Sequence, residues 1–242
     1  MQITDHIKKD GWLSGLIGKD SFQFIVDESL QNHGEDFVQN FHSQFTMEKF
    51  FVYSKIGTNR LLDSSLLEET GFRLIDTNVR LNKFSKIQVR QELHPDFEIR
   101  FTKQGDKKEV VRLAQKNFRF SRFHLDPSIN NNIADNIKGK WVENYYKGER
   151  GDHMVVALSG GQIVGFAQLI KKKSLLIIDL IAVDSSYRGK GIASSMIAFA
   201  ESQINCTETL VGTQVSNIPS MRLYESLGFK TDSSDYVFHF HR

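Results

Sequence analysis

Residues 177–201 read IIDLIAVDSSYRGKGIASSMIAFAE, and their interpretation decides the fold. The apolar run around Asp179 stops at Asp184, too short to span a membrane and right for a buried strand. After Arg188-Gly189-Lys190-Gly191 a second pattern begins, with Ile192, Met196 and Phe199 or Ala200 recurring at helical spacing. The glycines therefore sit where a strand hands over to a helix N-terminus. Such a terminus carries unsatisfied N–H groups and about half a positive charge, and glycine lacks the Cβ that would hold a pyrophosphate away from them.

Two common phosphate loops are excluded. The stretch is not GxxxxGK[ST], because Ser194 does not follow a Gly-Lys pair, and not GxGxxG, because no third glycine follows at that spacing. What remains is Arg188-x-x-Gly191-x-Ala193 between a strand and a helix, which resembles the acetyl-CoA pyrophosphate loop of the Gcn5-related N-acetyltransferases (GNAT). The resemblance implies an α/β fold with a mixed sheet and acetyl-CoA as acyl donor. In that family the strand before the loop splays from the next one, here LVGTQVS at 210–216, and the pantetheine arm enters the gap. Carried over, the main chain of Ile181 and Val183 bonds that arm, while Arg188, Gly189, Lys190, Gly191, Ile192, Ala193 and Ser194 hold the pyrophosphate.

The implied chemistry is amine attack on a thioester. A free amine of this kind has a pKa of ~8 and must lose a proton first, and the leaving thiolate, at ~8.5, departs more easily beside a proton donor. By the same resemblance Tyr224, in Asn217-x₆-Tyr224-x₃-Gly228-Phe229, is the acid that protonates the sulfur, and Asn217 contacts the cofactor. Asn217 before Ile-Pro-Ser also suits a helix N-cap. Asp179 is the candidate base: strict alternation places its carboxylate on the same side as Ile181 and Val183. Cys206, with no base or acid beside it in sequence, does not read as a nucleophile.

Composition sets outer limits. The 242 residues suffice for two modest domains, expected at 1–95 and 96–242, with the boundary in the polar stretch 82–96. Charge is nearly balanced, 31 basic against 29 acidic, so nucleic acid is not an expected partner and any anion binding is local. Neither CxxC nor HExxH occurs, so no metal is expected, and no run approaches a membrane span. Charges at Asp5, Lys8, Lys9 and Asp10 interrupt any signal-peptide core, a cytoplasmic reading, and a homodimer is left open.

Along the chain, FQFIV at 22–26 and FVYSKIG at 51–57 read as strands, and 35–45 and 61–70 as helices. LLEETGF at 66–72 answers LYESLGF at 223–229, a faint repeat of strand, helix, glycine and strand, which reads either as half of an acetyltransferase fold without its acyl-CoA loop or as chance similarity of a common helix-glycine-strand motif. From residue 97 the order is strand, two helices, a hairpin turning at Gly160-Gly161, strand, helix, strand, helix, strand. This is also the order of the Gcn5-related fold.

The acceptor is indicated only by resemblance. Ser121-Arg122-Phe123, residues 141–144, residues 151–153 and LEETGFRLIDTNVRL at 67–81 are similar to the bacterial dTDP-fucosamine (dTDP-4-amino-4,6-dideoxygalactose) N-acetyltransferases. That implies a nucleotide-linked amino-dideoxy sugar made for surface polysaccharide, with Arg122 on a phosphate, Phe123 or Trp141 stacking or packing, and His124 bordering the site. Two other readings stay open: a GNAT enzyme acting on a protein N-terminus, polyamine or antibiotic, and a non-catalytic acyl-CoA sensor.

Overall fold

The computed structural model describes residues 6–26, 34–45, 48–84 and 96–242. The first half runs β1 (Ile7–Lys9), α1 (Gly11–Ile17), β2 (Asp20–Phe24), α2 (Gly34–Gln44), β3 (Phe50–Gly57), α3 (Leu61–Glu69) and β4 (Arg73–Phe84). The second runs β5 (Glu98–Phe101), α4 (Lys107–Asn117), α5 (Arg122–Leu125), α6 (Asn131–Tyr146), β6 (His153–Ser159), β7 (Gln162–Lys172), β8 (Leu175–Val183), α7 (Ile192–Gln203), β9 (Glu208–Gln214), α8 (Ile218–Ser226) and β10 (Lys230–His241). Among the described residues the strands form one mixed sheet in the order β1-β2-β3-β10-β4-β9-β8-β7-β6-β5. No helix of the described residues is long and apolar enough to cross a membrane.

The order contains a repeat larger than the sequence suggested. In the first half β1 is antiparallel to β2 and β2 parallel to β3; in the second, β7 is antiparallel to β8 and β8 parallel to β9. Each half then continues through a short helix, α3 or α8, and a glycine, Gly71 or Gly228, into a last strand. Those last strands are exchanged: β4 pairs with β9, and β10 with β3, while β4 and β10 pair with each other at the centre. Apolar packing follows the exchange. Phe238 of β10 is fully buried with Phe24, Phe41 and Phe72, whereas Val79 and Leu81 of β4 join Ile178, Met196 and Val211. The boundary expected in 82–96 falls mostly on residues 85–95, outside the described residues, and strands from both sides of it interleave in the sheet.

Helices cover both faces. Val110, Leu113 and Val142 of α4 and α6 bury Phe166, Leu180 and Ala182 on one face, and Met196, Ile197 and Ala200 of α7 bury Ala167, Ile178 and Val211 on the other. The even-numbered residues of β8 thus change sides. The register explains it: Ile178 pairs with Leu169 and Leu180 with Gln168, leaving Asp179 as the extra residue of a β-bulge. The expectation that Asp179 shares a side with Ile181 and Val183 is therefore corrected. Ile181 and Val183 pack toward α7, while Asp179 bonds Trp141 of α6 on the opposite face.

Candidate active site

β8 and β9 pair only from Leu175 and Glu208 to Ile178 and Val211, then part, although both continue for several residues. The splay coincides with the bulge. Asp184 N–H bonds the Val164 carbonyl, so the alternation of an antiparallel ladder points the backbone of Leu180 and Ala182 at β7 and that of Ile181 and Val183 into the gap. The Val183 carbonyl is taken by Arg188 Nε at 3.1 Å. The gap opens into a cleft of about 950 Å³ lined from both faces of the sheet.

On the α7 side the chain leaves β8 through a 3₁₀ turn and reaches Gly189 and Gly191, with φ of 77° and 73°. These left-handed conformations cost a residue with a Cβ about 1–2 kcal/mol, which explains the two glycines. The space a Cβ would fill is open at both. Gly191 caps α7 without a side-chain hydrogen bond, so the first N–H groups of the helix, at Ile192, Ala193 and Ser194, have no side-chain cap. The Ile192 side chain itself is core. Arg188 is turned onto the loop's own support, donating through Nη2 to the Asn117 carbonyl at 3.1 Å, and Lys190 Nζ lies 5.1 Å from the Tyr187 ring centre. Backbone N–H groups are thus what this loop offers an anion.

Asn217 fills the capping role, its Oδ1 accepting from Ser220 N while Nδ2 donates to Thr213 Oγ1 at 3.2 Å. It also borders the cleft. Tyr224 projects from α8 into the same cleft and is only 2% exposed. Burial pushes its phenol far above the ordinary range, and its hydroxyl has no hydrogen-bond partner among the described residues. The phenol therefore keeps its proton and has no partner for it, which leaves its O–H free to hydrogen-bond a group in the cleft.

Asp179 does not suit proton abstraction. Its carboxylate accepts from Arg150 Nε and Nη2 at 2.7 and 2.6 Å, from Trp141 Nε1 at 3.0 Å and from Gln168 Nε2 at 3.0 Å. Protonation would break a bidentate ion pair, so this carboxylate is an anchor that ties α6 and Arg150 to the bulge. Strict alternation concealed the bulge that places it there.

The face opposite α7 carries the proposed acceptor residues, and they separate. Arg122 lies in the cleft, its guanidinium 4.0 Å from the Tyr53 ring centre and 3.2 Å from His239 Nε2. Burial lowers it to about 10, so it stays charged at neutral pH. His239 Nδ1 bonds Asp126 Oδ2 at 2.6 Å, and His241 Nε2 reaches the same oxygen at 2.7 Å. Burial pushes His239 down to about 4; burial also raises Asp126, but the two imidazole hydrogen bonds outweigh it and hold that carboxyl well below its usual range. The ligand atoms of Asp126, His239 and His241 lie within 4.8 Å of one another. Yet the shared oxygen is satisfied by both rings and a guanidinium faces His239, an arrangement that braces Arg122 and disfavours a cation.

Phe123 borders the cleft with Arg122 4.4 Å from its ring centre, but it is 2% exposed and most of it packs with Leu13, Phe51 and Ile137. His124 does not line the cleft: it bonds Ser121 Oγ at 2.6 Å and Asp135 Oδ1 at 3.0 Å, and burial lowers its pKa. Trp141, read beforehand as stacking or packing, borders the cleft and donates to Asp179. What the sequence did not show is charge assembled from distant segments. Among the described residues Lys55, Arg80, Arg119, Arg122, Lys138, Arg150, Arg188 and Arg222 line the cleft against a single carboxylate, Asp179.

A splayed parallel pair with an uncapped helix start beside it is the architecture of an acyl-CoA-dependent N-acyltransferase. The acetyltransferase (GNAT) family model matches residues 109–229, and the chain belongs to that family. The spore coat polysaccharide biosynthesis protein SpsD of Bacillus subtilis (strain 168) is 34% identical over 149 residues, 60% of this chain and 51% of that protein. The N-acetylaspartate synthetase of Xenopus tropicalis is 33% identical over 114 residues, covering 44% of this chain and 39% of the relative. The chain thus spans about half the length, or less, of these curated relatives. Among solved structures, a tandem GNAT protein from the clavulanic acid biosynthesis pathway superposes with a TM-score of 0.64 at 8% identity, over 93% of this chain and 76% of that one, a likeness of fold.

Proposed function

We propose that the protein transfers the acetyl group of acetyl-CoA to the primary amine of an anionic acceptor, a nucleotide-linked amino-dideoxy sugar of the dTDP-fucosamine kind. The observation that carries the choice of acceptor is the charge of the cleft, eight cations against one carboxylate. Polyamines and aminoglycoside-like antibiotics are repelled by such a wall, whereas a diphosphate is drawn to it. The similarity to SpsD, a spore coat polysaccharide biosynthesis protein, fits the same substrate class.

In this reading the N–H groups at Ile192, Ala193 and Ser194 take the pyrophosphate of acetyl-CoA. Ile181 main chain and the Val183 N–H align the pantetheine arm in the gap. The amine enters from the face of Arg122 and Trp141, and Tyr224 gives its proton to the departing sulfur. Acetyl-CoA is expected to raise the melting temperature, because it binds only the folded state. Thiol release is expected with dTDP-linked amino sugars and not with spermidine or peptides. Release with spermidine in preference to the nucleotide sugars would refute the assignment, and release with aspartate alone would move the acceptor to an amino dicarboxylate.

A further inference from the structure

Lys138 is one of the eight cleft cations, and it is set apart from the others by its burial. It lies on the buried face of α6 and is 7% exposed. Its Nζ lies 4.8 Å from the ring centres of Phe118 and Trp141, and among the described residues it makes no hydrogen bond or ion pair. A buried ammonium held by two ring faces, with no hydrogen-bond acceptor, is costly compared with one in water and is found where it serves a ligand or gives up its proton. Its position is specific: Trp141, which it touches, donates to Asp179, the bulge residue beside which β8 leaves β9. Lys138 therefore stands at the mouth of the gap on the acceptor's side.

We propose that neutral Lys138 is the base that takes a proton from the acceptor's ammonium, an inference that rests on the acetyl transfer proposed above. The groups facing it are Asp179 of β8, which favours the charged form, and Arg122 of α5, Arg150 and Lys55 of β3, which oppose it; His124 on α5 also feels its charge. Asp179 is already committed to Arg150, so the surroundings are net positive. Burial first, and then these cations, bring Lys138 down to about 8. That matches a substrate amine of ~8, the condition for easy transfer near neutral pH.

Lys138 Nζ removes one proton from R–NH₃⁺, and the freed lone pair forms the C–N bond at the thioester carbon. The C–S bond breaks, and the thiolate takes the proton of Tyr224. The phenolate recovers a proton from the nitrogen becoming the amide, and Lys138 releases its own to water. The sum is one amide, one thiol and one proton.

The test uses Lys138→Met, which keeps the apolar packing, and Lys138→Arg, which keeps the charge but cannot be neutral. For the wild type, kcat/KM with a dTDP-amino sugar is expected to rise with pH to a plateau above about 8. Both variants should lose at least about 100-fold near pH 7, with the deficit narrowing above about pH 8, where the acceptor amine is already neutral and needs no base, while acetyl-CoA still raises their melting temperatures. Separately, pulses of acetic anhydride followed by mass spectrometry of the Lys138 peptide should show half-maximal reactivity near pH 8 in the wild-type protein. Activity of Lys138→Arg within threefold of wild type would show a phosphate-binding cation instead and overturn the base, as would a labelling midpoint above 10. No wild-type turnover with any amino-sugar nucleotide would overturn the acceptor reading and the base with it.

Discussion

Replacing Tyr224 by Phe should separate stability from turnover. The hydroxyl is buried, faces the cleft and has no bonded partner among the described residues, so its removal takes away nothing that holds the fold. Burying an unbonded hydroxyl costs about 1–3 kcal/mol by mutational measures, and contact with cleft water reduces that cost. The variant should therefore be between equal to wild type and about 1 kcal/mol more stable. For a chain of this size that is a rise of at most about 2–4 °C in Tm. Loss of a positioned general acid should lower kcat by about 10²–10⁴, with the acetyl-CoA-induced shift in Tm retained. Scanning calorimetry and a thiol-release assay on the same preparations give both quantities. A kcat within threefold of wild type would remove Tyr224 from the chemistry, and a Tm several degrees lower would make its hydroxyl structural.

Asp179→Asn should cost about 1–2 kcal/mol in chemical denaturation, because the buried carboxylate's bonds from Trp141 and Gln168 weaken while Arg150, partly exposed, is taken up by water; a change below about 0.5 kcal/mol would contradict the anchor role. Gly191→Ala should lose about 1–2 kcal/mol through its positive φ and weaken acetyl-CoA binding by calorimetry, and unchanged affinity would count against the loop. Phe238→Ala should cost about 3–5 kcal/mol and still give one cooperative transition, because β10 sits in the core of the other half; two separate transitions would refute the interlocking. His239, held neutral at about 4 against 6.5 when unfolded, contributes stability that is full above pH 6.5 and is lost as pH falls through 4. Asp126, also depressed, acts in the same direction at lower pH. The loss assignable to His239 is about 3 kcal/mol. Denaturation of His239→Asn should be flatter over that window, and an equal slope would contradict the brace.

Local patterns carried the second half of the chain. The run before Asp184, the glycines and the helical spacing after Ile192 all act within about twenty residues, and the structure places them as read. LLEETGF and LYESLGF fall at matching helix, glycine and strand positions, but no local feature announces that the two last strands change places, since strand partners are chosen by long-range burial. The bulge at Asp179 escaped for a related reason: one inserted residue leaves the buried–exposed alternation of β8 intact while reversing its faces. Lys138, in NIKGKW, carries no signal of burial in the sequence, and only the packing of α6 against Phe118 shows it to be buried. The cationic wall could not be seen at all in a chain with net charge +2, because its members come from β3, β4, α5, α6, α8 and three separate loops.

The most direct measurement compares kcat/KM for one amino-dideoxy sugar presented as its dTDP conjugate and as its uncharged methyl glycoside, with spermidine as a cationic control. The conjugate should be favoured by at least about 100-fold, with the preference shrinking as salt is raised. Equal use of the two sugars, or faster acetylation of spermidine, would show that the cationic cleft does not select the acceptor.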